Sequence, residues 1–327
     1  TNLTTMCPFL RSAILIATAL FGVSAEAQQL IPTRGKEFWM GFMRNYDGAQ
    51  RQDLFISSDV NTSGVVSAPL FGWSEPFTVT ANTVTTIEVP LGLMNNQSDI
   101  IDNKGVHIES EDTVAVYALS FQSATADATV IYPVKSTGTD YRVQAYRGFP
   151  DIPSYSSEFL IVATADSTEI EITATANTVG GHTAGVPWTI QLNEGESYQV
   201  QAAIDAGDLT GSTVRATPGS GACRPFSVYG GSVCPQVPAG CAACDHVYEQ
   251  NLPTPFWGSN YYSVPWEDTY AYTYRILAHT DNTSITVDND PPIVLSAGQV
   301  IEVNGTDVPH CFTGSQPFSV AQFMQGS

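Results

Sequence analysis

Positive charge is scarce in this chain. Its 327 residues carry 12 Lys plus Arg against 32 Asp plus Glu, a net charge of −20, and the lysines are Lys36, Lys104 and Lys135. Such a surface repels phosphate, which argues against nucleic-acid binding through a basic face and against docking on anionic lipid. Charged residues of both signs reach only 13%, while hydrophobic residues reach 43%. Disordered chains show the reverse balance, so this one folds. Long apolar runs are also missing. The run Ser12–Val23 (SAILIATALFGV) spans 12 residues, short of the about 20 that cross a bilayer. No segment holds a capped 3.6-residue period, which leaves little helix. There is no Gly-x-Ser-x-Gly elbow, no His-Glu-x-x-His and no twelve-residue EF-hand loop. The sequence marks of α/β-hydrolases, zinc proteases and EF-hand calcium sites are therefore absent.

What is present begins with an export signal. Arg11, the apolar run and Ala25-Glu26-Ala27 follow Met6, and the small-x-small triplet places a cut before Gln28. Residues 1–27 read as upstream residues and signal peptide, and the mature chain as secreted or cell-surface, with no membrane span. Cys7 leaves with the signal. Cys223, Cys234, Cys241, Cys244 and Cys311 remain, all disulfide candidates in an oxidising space, with an odd number and an open pairing. A Cys234–Cys244 bond would close a short loop and contribute on the order of 2–3 kcal/mol.

Alternation of period two runs through the chain, as in Glu169–Thr173 (EIEIT) and Tyr198–Gln201 (YQVQ), and Gly, Pro, Asn and Asp interrupt it at short intervals. This is the pattern of many short, half-buried antiparallel strands. The strands come in one order three times. Each copy opens on Gly-x-x-aromatic: Gly35 to Phe38, Gly138 to Tyr141 and Gly258 to Tyr261. An apolar strand ending in Asp and a polar turn follows (Leu54–Asp59, Phe159–Asp166, Tyr274–Asp281), then further strands, then a closing strand (Thr113–Phe121, Pro225–Gly231, Pro317–Phe323). About seven strands in roughly 100 residues suit a two-sheet sandwich. The expectation is an all-β chain of three tandem sandwich-like repeats. Its boundaries are 28–135, 136–255 with a Cys-rich connector, and 256–327, a third repeat that reads as truncated. A single β-propeller built from the repeats is the alternative.

Several ordered motifs resemble one family. They are Gly35-Lys-Glu-Phe-Trp-Met-Gly-Phe42, Asp127 to Pro133 with Gly138-Thr-Asp-Tyr-Arg-Val143, Asp208-Leu-Thr-Gly-Ser-Thr-Val214, and Cys244-Asp-His-Val-Tyr-Glu-Gln250 with Pro253 and Trp257-Gly258. Together they are similar to the N-terminal domain family of the IgG Fc-binding protein, in its bacterial type. The resemblance covers essentially Gly35 to Ser327. It implies a secreted or surface-attached binding module without enzymatic activity, and it marks Asp245, His246, Glu249 and Gln250 as family motif residues.

The same segment can be read as chemistry. Cys241-x-x-Cys244 near His246 and Glu249 has zinc-ligand residue types, but the oxidising compartment favours disulfides. Asp245, His246 and Glu249 could form a hydrolytic acid–base set. Copy one has Asp127 at the same place with no His, which favours a structural role. The run Phe256–Tyr274 holds eight aromatics. Trp266, Tyr270 and Tyr272 fall between strands and are the candidates for an exposed ligand surface. Asp288-Asn289-Asp290 and Asp99 to Asn103 have oxygen donors close in sequence, so calcium stands beside the expectation of no cofactor and no metal.

The sequence thus points to an exported, non-enzymatic binding or adhesion module. Its partner would be an extracellular protein or glycan, mucin-like or immunoglobulin-like, at the cell surface or in mucus. The alternatives are a secreted hydrolase using Asp245, His246 and Glu249, or a structural spacer of a larger surface protein.

Overall fold

The computed structural model describes residues 31–204, 207–217, 224–266 and 271–326. The signal-peptide reading, Cys223 and Tyr270 lie outside the described residues. Among the described residues the regular structure is strand, with three single-turn 3-10 segments.

In the first third of the chain the strands are β1 (Arg34–Met40), β2 (Arg51–Ser57), β3 (Thr62–Ala68), β4 (Trp73–Val79), β5 (Val84–Glu88), β6 (Ile100–Asp102), β7 (Val106–Gln122) and β8 (Thr125–Ile131). The 17-residue β7 serves two layers. Around His107–Ser110 it lies between β3 and β1, giving the order β4-β3-β7-β1. From Ala115 to Phe121 it lies between β2 and β8, giving β5-β2-β7-β8. The two layers enclose one core, with Phe38, Val66, Phe77 and Ile108 from the first and Leu54, Ile56, Ile87 and Val116 from the second.

The next stretch holds β9 (Asp140–Arg142), β10 (Ser157–Ala163), β11 (Thr168–Thr173), β12 (Trp188–Leu192), β13 (Ser197–Gln201), β14 (Thr213–Ala216), β15 (Phe226–Ser232) and β16 (Val247–Gln250). Its sheets run β12-β11-β14-β9 and β16-β15-β10-β13-β6. The last stretch holds β17 (Gly258–Tyr262), β18 (Tyr272–Ala278), β19 (Thr283–Val287), β20 (Ile293–Leu295), β21 (Val300–Thr306) and β22 (Cys311–Met324). Here β22 again serves both layers, in the orders β20-β19-β22-β17 and β21-β18-β22. The orders β4-β3-β7-β1, β12-β11-β14-β9 and β20-β19-β22-β17 correspond strand for strand, with β14 and β15 standing where β7 and β22 are continuous. The other layer differs: β6 is added beside β13, and among the described residues no strand takes the place of β8 beside β22. A propeller blade meanders, so that consecutive strands are neighbours. Here β7 and β22 sit between strands far back in sequence, which rules the propeller alternative out.

The Gly-x-x-aromatic openings have a physical reason. The Tyr141 hydroxyl accepts the Gly138 N–H at 2.8 Å and donates to the Phe226 carbonyl at 2.7 Å. Tyr261 repeats this with Gly258 and Phe318 at 2.8 and 2.7 Å. At Gly35 and Gly138 the glycine is needed because a proline lies on it. A Cβ on Gly35 would stand 2.4 Å from Pro133 Cβ, and one on Gly138 2.6 Å from Pro253 Cβ.

One expectation fails. The alternation predicts sheets with one wet face, yet β10, β13, β15 and β18 are buried on both faces. The sandwiches stack. Leu160 and Val162, on the outer face of β10, join Phe42, Met43, Tyr229 and Tyr248 in the first core. Each such aliphatic side chain contributes roughly 1.5–3 kcal/mol when fully buried. Strand β6, from the first third of the chain, hydrogen-bonds to β13 and ties the two sandwiches further.

Candidate functional site

The motif residues meet where β8 and β16 run side by side at the junction of the first two sandwiches. These edge strands are joined through side chains rather than a backbone ladder. Asp127 accepts the Tyr248 N–H through Oδ2 at 2.8 Å, and the Thr129 hydroxyl accepts the Gln250 N–H at 2.9 Å. In return, Gln250 Oε1 accepts the Tyr132 N–H at 2.7 Å, and Asp245 Oδ1 accepts the Ala126 N–H at 2.9 Å. Side chains of Asp127 and Thr129 from β8, of Gln250 from β16 and of Asp245 just before it therefore supply acceptors for the edge amides of the two strands. Asp127 Oδ1 also takes the Ala128 N–H at 2.8 Å, and Asp245 Oδ1 the His246 N–H at 2.8 Å.

The seam is crowded and acidic. Burial pushes the Asp127 carboxyl up to about 7, against hydrogen bonds from Tyr248 and Ala128 and with the charge of Asp245 adding to the rise. Burial and then the Asp127 charge raise Glu249 to about 8, against a hydrogen bond from Thr129. Solvent still reaches Glu249, which screens part of this effect. Asp245 is also raised, chiefly by desolvation.

His246 is buried, with 2% of its surface exposed. Its Nδ1 lies 3.1 Å from the Ser232 carbonyl and 3.3 Å from the Val233 carbonyl. Both are acceptors, so Nδ1 carries the proton, and Nε2 is buried with no hydrogen-bond partner. Burial lowers the pKa to about 4, against the two carbonyl contacts that favour the charged form. A hydrolytic set requires Asp245, His246 and Glu249 to converge on an open site. Here the imidazole is enclosed, and the Asp245 carboxylate is engaged by main-chain amides. Cys234 and Cys244 form a disulfide around residues 235–243, so the zinc reading of Cys241-x-x-Cys244 loses a thiolate. Cys241 and Cys311 are half-buried free thiols, and no group of three His, Cys, Asp or Glu suited to a metal occurs among the described residues.

The second candidate surface lies in the third sandwich. Tyr262 is 77% exposed, Val264 70% and Trp266 44%. Tyr272, read from the sequence as a loop residue, is instead buried, because it opens β18 and packs in the third core. Its hydroxyl donates to the Trp266 carbonyl at 2.7 Å and accepts the Trp266 N–H, and the two rings meet edge-on at 5.3 Å. Tyr272 thus holds Trp266 in place and does not itself face a ligand.

In the acidic loops considered for calcium, Asp99, Asp102 and Asp288 have protein partners. Asp99 accepts from the Thr178 hydroxyl at 3.0 Å and the Gly180 N–H at 2.8 Å, while Asp102 belongs to β6 and pairs with Lys104 at 2.7 Å. Asp288 accepts the Cys311 N–H at 2.8 Å and lies 2.7 Å from His310 Nδ1.

Sequence reasoning missed the buried charged residues Arg275 and Glu158. Arg275 of β18, 1% exposed, points into the second junction. It hydrogen-bonds Asp208 Oδ2 and the Ala145 carbonyl at 2.5 Å each and Thr210 Oγ1 at 2.7 Å, forms an ion pair with Glu302 at 3.1 Å, and lies over the Tyr146 ring at 4.9 Å. The visible signal is one arginine inside the apolar run Tyr274–Ala278. Glu158 of β10 is wholly buried. Its Oε2 accepts from Gln201 Nε2 at 2.8 Å, its Oε1 has no partner, and desolvation raises its pKa well above the ordinary value. A carboxyl raised in this way contributes fully below its unfolded pKa and less as pH rises. Glu158→Gln should therefore match the wild type in urea midpoint near pH 5 and exceed it at pH 8. A variant less stable than wild type at pH 8 would refute this.

The family model of the IgGFc binding protein matches residues 127–327, from the Asp127 of the seam onward. The chain belongs to the IgGFc-binding protein family. A curated relative, the human IgGFc-binding protein, is 27% identical over 300 residues, covering 88% of this chain and 5% of the human protein. The chain therefore spans about a twentieth of that relative's length. The relative is human, so the bacterial type suggested by the motifs gains no support. No solved structure matches the chain. As a member of the IgGFc-binding family it sits among binding proteins, and the matched residues include both strands of the β8–β16 seam, β8 from Asp127 on. Among the described residues, no helix is long and apolar enough to cross a membrane.

Proposed function

We propose that this IgGFc-binding family chain is an exported, non-enzymatic binding module. It is built from three copies of one β-sandwich and recognises an extracellular protein or glycan at the cell surface or in mucus. Family membership supports a protein partner, and the human relative's name makes the Fc region of immunoglobulin the first partner to test. The observation that carries the reading is the exposed run Tyr262, Val264 and Trp266 on a rigid β scaffold. Aromatic side chains of this kind anchor protein and sugar partners. No metal or cofactor is needed for such contacts.

The test is binding of the purified chain to immobilised IgG Fc and to a mucin glycan array, in calcium and in EDTA, beside the double variant Tyr262→Ala/Trp266→Ala. Saturable binding is expected, equal in calcium and EDTA, and weakened about tenfold or more in the variant, the scale of losing an anchor residue. A chain that binds neither partner, or a variant that binds as well as the wild type, overturns the reading. Binding lost in EDTA would replace its metal-free part with the calcium alternative.

A further inference from the structure

We propose that the free edge of β22 is a docking site for an extended polypeptide strand that ends in a proline seated on Gly258. Two strands of this chain already dock in this way. In the first sandwich, β8 pairs antiparallel with β7 from Gln122↔Thr125 to Val116↔Ile131. Two residues further on, Pro133 covers Gly35, and Gly35 pairs with Val114. In the second, β16 pairs antiparallel with β15 from Ser232↔Val247 to Tyr229↔Gln250. Three residues further on, Pro253 covers Gly138, and Gly138 bridges Phe226. The register is shared: each proline falls across from the residue that pairs with the glycine.

The third sandwich offers the same receptor. Gly258 pairs with Phe318, and Tyr261 fixes both as Tyr141 fixes Gly138 and Phe226. Residues Phe318–Met324 pair with β18 along one side. Among the described residues, no strand lies along the other side of 319–324. The glycine notch is open too. A Cβ on Gly258 would find nothing nearer than the Tyr261 hydroxyl at 3.6 Å, against 2.4 and 2.6 Å to the prolines on Gly35 and Gly138. An unpaired edge of this length is a template for strand addition. The two precedents set the occupant's chemistry. It is an extended segment of four to seven pairing residues with β-branched or aromatic side chains facing in, followed within two or three residues by an apolar or aromatic residue and proline, as in Tyr132-Pro133 and Leu252-Pro253.

The probe is a synthetic peptide with the sequence of residues 125–133 (TADATVIYP), added at up to millimolar concentration to the purified chain. Amide hydrogen exchange locates it, and anisotropy of a labelled peptide measures saturation. The expected result is saturable binding with at least tenfold slower exchange within 319–324. Gly258→Val should keep the wild-type melting temperature, since the notch is empty, and lose the binding. Gly258→Ala is the milder variant if valine perturbs folding, and a peptide with glycine in place of its proline should bind at least fivefold more weakly. The proposal is overturned if no saturable binding occurs, if protection appears elsewhere than 319–324, or if both glycine variants bind the peptide as the wild type does. Failure of Fc or glycan binding leaves it intact, because Tyr262 and Trp266 take no part in it.

Discussion

Replacing Arg275 with alanine should lower the stability of the chain by about 3–5 kcal/mol, the scale of removing one partner from a buried ion cluster. The guanidinium is 1% exposed, its donors go to Asp208, Thr210 and the Ala145 carbonyl, and Glu302 is a further ion-pair partner. Without it, the carboxylates and the carbonyl face a desolvated space. Burial by itself would raise the Asp208 pKa, and the charge and hydrogen bonds of Arg275 reverse this, so that the net shift is downward. A carboxylate lowered in the folded state contributes above its unfolded pKa and loses that contribution as pH falls through the folded one. The wild-type advantage over Arg275→Ala should therefore narrow in strong acid. Arg147 also pairs with Glu302, which places the loss toward the lower end of the range. Arg275→Met keeps the packing of the aliphatic stem yet loses the charge, so it should be nearly as damaging. Urea unfolding followed by circular dichroism measures the difference. A loss below about 1 kcal/mol would show that the second junction does not depend on this cluster.

Why Arg275 escaped the sequence while β18 did not is a question of which contacts leave a periodic trace. Strand positions follow from period-two burial, and Trp188–Leu192 and Thr283–Val287 fall where the alternation places them. Stacking is not written in that period. A strand covered on both faces reads as a continuous apolar run, as Phe159–Ala163 does, and the run does not name what covers it. The role of β7 and β22 in two layers was equally hidden. Only their closing halves alternate within the expected segments, while the opening halves are mixed polar sequence held by β1, β3, β17 and β19. The motif residues were legible as a set and misleading as chemistry. Asp127, Asp245 and Gln250 are acceptors for edge amides of two strands more than a hundred residues apart, and no local spacing reveals that. Tyr272 shows the opposite error, since a two-residue shift in the start of β18 turned a loop aromatic into a core one.

His246 supplies the second large effect, a loss of stability on acidification. Its ring is neutral in the fold, with Nδ1–H aimed at two carbonyls and Nε2 buried. The folded pKa of about 4 lies below the ordinary 6.5, so the unfolded chain binds this proton first. The stabilisation is complete above pH 6.5 and declines as pH falls toward 4, by roughly 1.4 kcal/mol per unit and about 3 kcal/mol in all. Its neighbours act the other way. Glu249 and Asp127, raised to about 8 and 7, favour the folded state once protonated and lose that contribution as pH rises through those values. The wild-type profile alone therefore mixes opposing slopes, and the comparison with His246→Gln isolates the histidine. Glutamine keeps a donor for the Ser232 and Val233 carbonyls and has no proton to gain. Urea midpoints of the two proteins between pH 7 and 4.5 should start close together and separate in favour of the variant by about 2–3 kcal/mol. A difference that stays constant across that window would mean the imidazole is not held neutral, and that acid reaches this junction through the carboxylates of the seam instead.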